Sequence, residues 1–206
     1  MSGDDRKGNK GAGLLVLWEG APKNPMVAPI GSGLHWVQVS GQSDRPIIVS
    51  APEDSISSAF ILVMHRSSRI GDGAIDCLPA AEDTQDQIAG MGVWGDATLV
   101  YLTGRFVGTV PDRYCCWGAG FDLGHCSKPA DGEDEAYIHA VLDLLVPSLQ
   151  SATPAYLFGY SGGARMAWRA ACDPSVASRL SGVAVHSGLL SATLRVAGPS
   201  ACAVQS

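Results

Sequence analysis

The sequence contains no long hydrophobic run, and this absence argues against a helix that spans a membrane. Its longest apolar stretches are residues 59–64 and 14–18, whereas a membrane-spanning helix needs about 20 apolar residues. Charge is sparse too, because charged residues make up 17% of the chain and hydrophobic residues 46%. This balance is typical of a globular protein and not of a disordered one, and 206 residues suffice for one domain with a sizeable core.

Positive charge is the scarcer sign, and its shortage excludes a further class of partner. The chain has 14 Lys and Arg residues against 20 Asp and Glu residues, which gives a net charge of −6 at pH 7. A protein that binds nucleic acid needs a basic face to contact phosphates. We therefore expect no nucleic acid among its partners.

Cysteine pairs with C-x-x-C spacing are absent, which argues against a structural zinc site, and we expect neither a metal nor a cofactor. Six cysteines are nevertheless many for a cytosolic protein of this size: Cys77, Cys115, Cys116, Cys126, Cys172 and Cys202. An even number is compatible with disulfides in an oxidising compartment, and the alternative is buried free thiols. Because a long loop needs pinning, we expect Cys126, or one of Cys115 and Cys116, to lie within disulfide reach of another cysteine.

The first part of the chain is rich in Gly, Pro, Lys and Asn, a composition typical of a poorly ordered arm. We expect this arm to cover residues 1–33 and one domain to cover residues 34–206. Two short strands at residues 34–39 and 45–49 predict an opening hairpin. Residues 104–131 predict a long loop, and a loop of that length is expected to be functional or pinned by disulfides.

Apolar runs and helical stripes alternate along the rest of the chain. The runs predict buried strands at residues 59–64, 97–102, 155–158 and 180–185. The stripes predict helices at residues 82–91, 133–149 and 164–172. Strands that alternate with helices at these lengths predict an α/β fold, with a mostly parallel sheet and helices on both of its faces.

A G-x-S-x-G motif, Gly159-Tyr160-Ser161-Gly162-Gly163, joins the third of these runs to the third stripe. A serine on such a strand-to-helix turn exposes its hydroxyl above the sheet, and the helix behind it offers N–H groups to an oxyanion. Ser161 is therefore a candidate nucleophile, and the N–H of Gly162 is a candidate oxyanion donor. The alternative is a Gly-rich turn with an incidental serine.

Further motifs accompany this turn. Three of them are residues 45–49 with Ala51-Pro52, residues 61–65 ending in a histidine, and residues 117–120 with Cys126. Two more motifs are the acid pair and aromatic of residues 133–137 and the pair Met166-Ala167. Together these segments resemble the polyhydroxybutyrate depolymerase and feruloyl esterase family of α/β-hydrolases.

The resemblance implies a serine carboxylesterase that acts on an ester substrate, polymeric in some members. The substrate would be a polyhydroxyalkanoate, or a feruloyl or acetyl ester of a polysaccharide. An extracellular location is implied as well. Because Asp4, Asp5 and Glu19 interrupt the stretch that most resembles a secretion signal, the alternative is a cytoplasmic location. The second oxyanion donor would come from the loop after His65, where Ser67 is the best placed residue.

The chain departs from the family pattern at three points. Arg66 stands where the family has the Gly of a His-Gly pair, and Gly118 replaces an Asn of the Trp-containing loop. The chain also ends at Ser206, where the family's next strand, catalytic Asp and catalytic His would begin. The resemblance thus implies an α/β-hydrolase-like domain that is incomplete at its C-terminus and hydrolyses esters poorly.

One histidine is a candidate substitute for the base that Ser161 would lack. His186 follows the strand predicted at residues 180–185, so it lies at the edge of the sheet where the G-x-S-x-G turn opens. The alternative is that its ring packs at the rim of the core. We expect His65 to orient the loop that follows it. A second hypothesis for the chain is a non-catalytic α/β-hydrolase-like domain that lost its triad and binds a ligand. The oligomeric state is left open.

Overall fold

The computed structural model describes residues 26–27, 30–52, 56–71, 74, 76–89, 94–109, 112–119, 126, 131–145 and 153–188. These residues form an α/β fold around a six-stranded sheet. Its strands, in spatial order, are β11 (Gly182–His186), β10 (Ala155–Tyr160), β5 (Phe60–Met64), β7 (Thr98–Leu102), β3 (Arg45–Ser50) and β2 (Gly33–Val37).

The sheet is mostly parallel. Strands β7, β5, β10 and β11 run in the same direction, whereas β3 is antiparallel to both of its neighbours, β2 and β7. β5 and β7 are apolar almost throughout, because a parallel strand covered on both faces has no side that needs to be polar. The predicted opening hairpin is confirmed, since β2 pairs with β3 from Gly33↔Val49 to Val37↔Arg45.

Helices cover both faces of this sheet. On one face, α1 (Leu78–Ala89) packs in a cluster with Val63, Leu99 and Tyr101. The other face carries α2 (Glu133–Leu145), α3 (Gly162–Ala171) and α4 (Pro174–Ala177), packed over Leu62, Met64 and Val100. The α/β fold and the arrangement of helices predicted from the sequence are therefore confirmed. In the described part of the chain, no helix has the length and apolar character of a bilayer span.

A three-stranded antiparallel sheet accompanies the main one. Its order is β6 (Ser68–Arg69), β9 (Tyr114–Cys116) and β8 (Arg105–Val107). Two of these strands fall within residues 104–131, where the sequence predicted a long loop without strands of its own. Strands this short are below the length at which alternation gives a signal.

Disulfides hold this small sheet, as the cysteine pattern predicted. Cys77 is bonded to Cys115 and Cys116 to Cys126, and Cys172 is disulfide-bonded as well. Disulfides persist in oxidising compartments. No group of three or more metal-ligating side chains occurs among the residues that the structure describes.

Element boundaries shift where local hydrogen bonds decide them. The helix predicted from residue 82 begins at Leu78, because the Asp76 carboxylate accepts the N–H of Leu78 at 2.9 Å and Pro79 fits a first helical turn. Most of the arm predicted over residues 1–33 lies outside the described residues. Within it, β1 (Met26–Val27) pairs with β4 (Ile56–Ser57).

Candidate active site

Ser161 occupies a strained turn between β10 and α3. Its backbone has φ 53° and ψ −109°, a left-handed conformation that costs a residue with a Cβ about 1–3 kcal/mol. The Ser161 N–H donates to the carbonyl of His186 at 2.9 Å, which ties the turn to the end of β11. In the described part of the chain, the hydroxyl of Ser161 has no hydrogen-bond partner. The turn therefore presents an unengaged hydroxyl at the carboxyl edge of the parallel strands.

Two glycines allow the strand and the helix to meet this closely. A Cβ on Gly159 would overlap the backbone of Gly163, and a Cβ on Gly163 would overlap the carbonyl oxygens of Met64 and His65. The G-x-S-x-G pattern is thus required here by backbone contact, and the first turn of α3 sits directly on the end of β5. This local geometry was the feature that the sequence predicted best.

The strain at Ser161 leads to a stability prediction with a built-in comparison. Both Ser161→Gly and Ser161→Ala remove the hydroxyl, but only glycine relieves the left-handed backbone. Allowing for the extra freedom of glycine in the unfolded chain, we expect Ser161→Gly to be more stable than Ser161→Ala by about 1 kcal/mol. Urea denaturation of the two variants measures this difference. Equal stabilities would show that the turn is unstrained.

Gly162 and Ser67 face one another beside the nucleophile position. Gly162 is the first residue of α3, where backbone N–H groups have no partner within the helix. A Cβ placed on Gly162 would overlap the Ser67 hydroxyl and lie 3.0 Å from the Ser67 nitrogen. The structure therefore brings together the three positions that the sequence singled out for a nucleophile and two oxyanion donors. Their roles remain predictions.

His65 links this loop to its surroundings through both ring nitrogens. Its Nε2 accepts the N–H of Gly104 at 2.8 Å, so the ring proton is assigned to Nδ1, which donates to the carbonyl of Arg66 at 2.5 Å. Burial lowers the pKa of His65 to about 4. The ring is therefore neutral at pH 7, and its contacts are those of a residue that orients the loop, as expected.

The side chain of Arg66, which stands where the family has a Gly, extends to α1. Its guanidinium reaches Asp83 of α1 at 3.5 Å, and both side chains are about half exposed. Gly118, which replaces an Asn of the family pattern, donates its N–H to the Asp134 carboxylate at 2.5 Å. With both residues in place, Ser67 lies against Gly162.

The backbone carbonyl of His186 accepts the Ser161 N–H, and its ring contacts Tyr160 and Ser187. The ring centroid is 5.3 Å from that of Tyr160, and Nδ1 is 2.9 Å from the hydroxyl of Ser187. His186 is exposed at the end of β11, so it does not pack in the core. A role as base for Ser161 stays a prediction, and in the described part of the chain no hydrogen bond joins the ring to the Ser161 hydroxyl.

Sequence reasoning missed the charged residues that hold α2 against the site. Asp134 is fully buried and accepts from Arg45 at 2.6 Å, and the Arg45 guanidinium stacks 3.7 Å from the Tyr137 ring centroid. Its neighbour Glu135 pairs with Arg169 of α3. The adjacent acids of α2 thus anchor one helix to β3 and to the helix that follows Ser161. Their position at a helix start had been noted, but burial could not be read from a charged pattern.

A cleft of about 450 Å³ opens at the same edge of the sheet but does not include Ser161. The β2–β3 turn, Arg45, Thr103, Gly104, Phe106 and Glu133 contribute to its walls. Gly104, which bonds His65, connects it to the loop that carries Ser67.

Comparison of the sequence with known families and curated proteins gives no assignment. The sequence matches no protein-family model. It also matches none of the curated proteins with which it was compared.

Proposed function

We propose that the protein is a serine hydrolase of carboxylic esters with the α/β-hydrolase fold, and that Ser161 is its nucleophile. The observation that carries this proposal is the strained Ser161 on a strand-to-helix turn, with the backbone of Ser67 against Gly162. A nucleophile elbow has this geometry. The sheet also supports it, because the nucleophile strand lies inside a mostly parallel sheet whose antiparallel strand is near one edge.

In this reaction the Ser161 oxygen attacks the ester carbonyl and its proton passes to a base. The carbonyl oxygen becomes an oxyanion, which the N–H groups of Gly162 and Ser67 stabilise. The alcohol then leaves with a proton, and water hydrolyses the acyl-serine to release the acid and restore Ser161. His186 is the candidate base within the described residues. Turnover is expected to be slow, because no hydrogen bond joins its ring to the Ser161 hydroxyl in the described part of the chain.

The proposed substrates are those of the family that the sequence resembles: a polyhydroxyalkanoate, or a feruloyl or acetyl ester of a polysaccharide. Because disulfides persist in oxidising compartments, an extracellular site of action is part of the proposal. The second candidate function is a non-catalytic binding domain of the same fold. The unengaged hydroxyl of Ser161 favours it, since a serine without a base is a weak nucleophile.

Binding of a boronic acid tests the nucleophile without requiring fast turnover. Propylboronic acid becomes tetrahedral when a serine oxygen adds to boron, and ¹¹B NMR reports that change. We expect a tetrahedral signal that Ser161→Ala abolishes and that Ser58→Ala, at the opposite end of β5, retains. Hydrolysis of p-nitrophenyl acetate should be slow but faster than the roughly 10³–10⁴-fold acceleration over water that binding and an oxyanion hole give without a triad, and Ser161→Ala should lower it to that level.

The alternatives are separated by the same measurements. A tetrahedral adduct without any hydrolysis that depends on Ser161 would favour the non-catalytic domain. Absence of both the adduct and such hydrolysis would contradict the esterase proposal.

A further inference from the structure

The small antiparallel sheet lies directly beside the proposed oxyanion loop. We call its three strands β6, β9 and β8 the ribbon. Ser67 immediately precedes β6, and its neighbour Ser68 pairs with Cys115 of β9. Farther along, the N–H of Ile70 donates to the carbonyl of Arg113 at 3.1 Å. The chain on the C-terminal side of Ser67 is thus fixed by the ribbon and not by the main sheet.

The residue that follows the ribbon's middle strand fixes the other side of Ser67. Trp117 is buried, and its indole N–H donates to the carbonyl of His65 at 2.9 Å. Its ring also contacts the His65 ring, with centroids 5.0 Å apart. The backbone between His65 and Ser68 is therefore held at both ends by residues 115–117.

Disulfides attach the ribbon to the rest of the molecule. The Cys77–Cys115 bond joins β9 to the residue before α1, and the Cys116–Cys126 bond joins the last residue of β9 to Cys126. All four of these cysteines are buried. Strands of two and three residues cannot maintain an isolated sheet by their own pairing, so the ribbon depends on these attachments.

We propose that the disulfide-held ribbon positions the Ser67 N–H, and that Trp117 is a positioning residue of the oxyanion hole. The part of this inference that makes the Ser67 N–H an oxyanion donor rests on the proposed function. The N–H of Gly162 is fixed by α3, whereas that of Ser67 is fixed only through its neighbours. Oxyanion stabilisation is sensitive to displacements of a fraction of an ångström. Loss of the indole bond or of the disulfides should therefore weaken the hole while the central sheet stays folded.

Amide hydrogen exchange tests the positioning directly, whatever the activity. The reporters are the N–H groups of Ile70 and Gly104, which bond across the ribbon and to His65. Trp117→Phe keeps a ring but removes the indole donor, and should accelerate exchange at Gly104. The matched control is Trp94→Phe, because the Trp94 indole nitrogen is buried and has no hydrogen-bond partner among the described residues, and the ring packs on the other face of the sheet. Amides of β5 report on the central sheet.

The second experiment measures amide hydrogen exchange after the disulfides are reduced. Tris(2-carboxyethyl)phosphine takes an oxygen atom from water as each disulfide gains two electrons and two protons. Reduction should accelerate exchange at both reporters and leave β5 protected. The double variant Cys77→Ala/Cys115→Ala replaces this arm if the reduced protein precipitates. In parallel, the affinity for propylboronic acid should fall about tenfold in Trp117→Phe and stay unchanged in Trp94→Phe.

The outcomes separate this inference from the proposed function. Unchanged exchange at Gly104 in Trp117→Phe, together with unchanged exchange at both reporters after reduction, overturns it. So does loss of protection throughout β5, which would make the ribbon part of the global fold. If no variant binds the boronic acid, the proposed function fails while the exchange data still decide whether Trp117 positions the loop.

Discussion

Asp134→Ala should destabilise the protein by about 3–5 kcal/mol, because it leaves a buried positive charge without its partner. The Asp134 side chain is fully buried, and that of Arg45 is 9% exposed. Alanine would remove the acceptor of the Arg45 guanidinium and of the Gly118 N–H at once. Since Gly118 follows Trp117, we also expect the loop that holds His65 to loosen. Urea denaturation with a circular dichroism readout measures the loss.

Two variants make this measurement specific. Asp112→Ala removes an acid from an exposed pair with Arg69 and should change the stability by less than about 1 kcal/mol. The double variant Arg45→Met/Asp134→Leu removes both charges of the pair and should recover part of the loss, because Arg105, 3.3 Å from Asp134, and the Gly118 N–H still lose their acceptor. If Asp134→Ala and Asp112→Ala proved equally mild, the buried pair would contribute little and solvent must reach it.

Acidification should destabilise the protein by about 3 kcal/mol through His65 alone, since burial lowers its pKa from 6.5 to about 4. Between pH 6.5 and about pH 4, His65 binds a proton in the unfolded chain but not in the folded protein. Stability is therefore complete above about pH 6.5 and falls progressively toward about pH 4. Protonation of Nε2 would also remove the acceptor of the Gly104 N–H and so disturb the Ser67 loop.

The measurement is the free energy of unfolding between pH 7 and pH 4. His65→Gln should reduce the loss of unfolding free energy between pH 7 and pH 4 by the part that comes from protonation of His65. The variant is also expected to be less stable than the wild type at pH 7. His186→Gln is the matched control, because His186 is exposed at the end of β11. A wild-type profile identical in slope to that of His65→Gln would mean that the His65 ring is solvated.

Elements defined by long patterns could be predicted from the sequence. The apolar runs at residues 59–64 and 97–102 match β5 and β7 within one residue, because a strand buried on both faces is apolar along its whole length. The G-x-S-x-G turn could be placed for a different reason: its glycines meet backbone atoms that tolerate no Cβ. Such constraints are local and therefore visible in a single sequence.

Contacts between distant segments could not be predicted in the same way. The bond between the Trp117 indole and the His65 carbonyl joins residues 52 positions apart, and no periodicity records it. The buried Asp134 was indistinguishable from a solvated acid at a helix start, because its partner Arg45 lies 89 positions earlier. The ring of His186 could be assigned to an edge of the sheet but not to its contact with Tyr160.

The two adjacent half-cystines of β9 create an ordering requirement during oxidative folding. Successive residues of a strand point to opposite faces, so Cys115 and Cys116 present their sulfurs to different partners only after the strand has formed. In an unstructured chain the two thiols are interchangeable, and the exchanged pairs Cys77–Cys116 and Cys115–Cys126 form as readily as the native ones. The formation of β9 in its correct register thus determines which disulfides form. Oxidation before pairing of Cys115 with Ser68 would trap isomers that only an isomerase or a thiol buffer resolves.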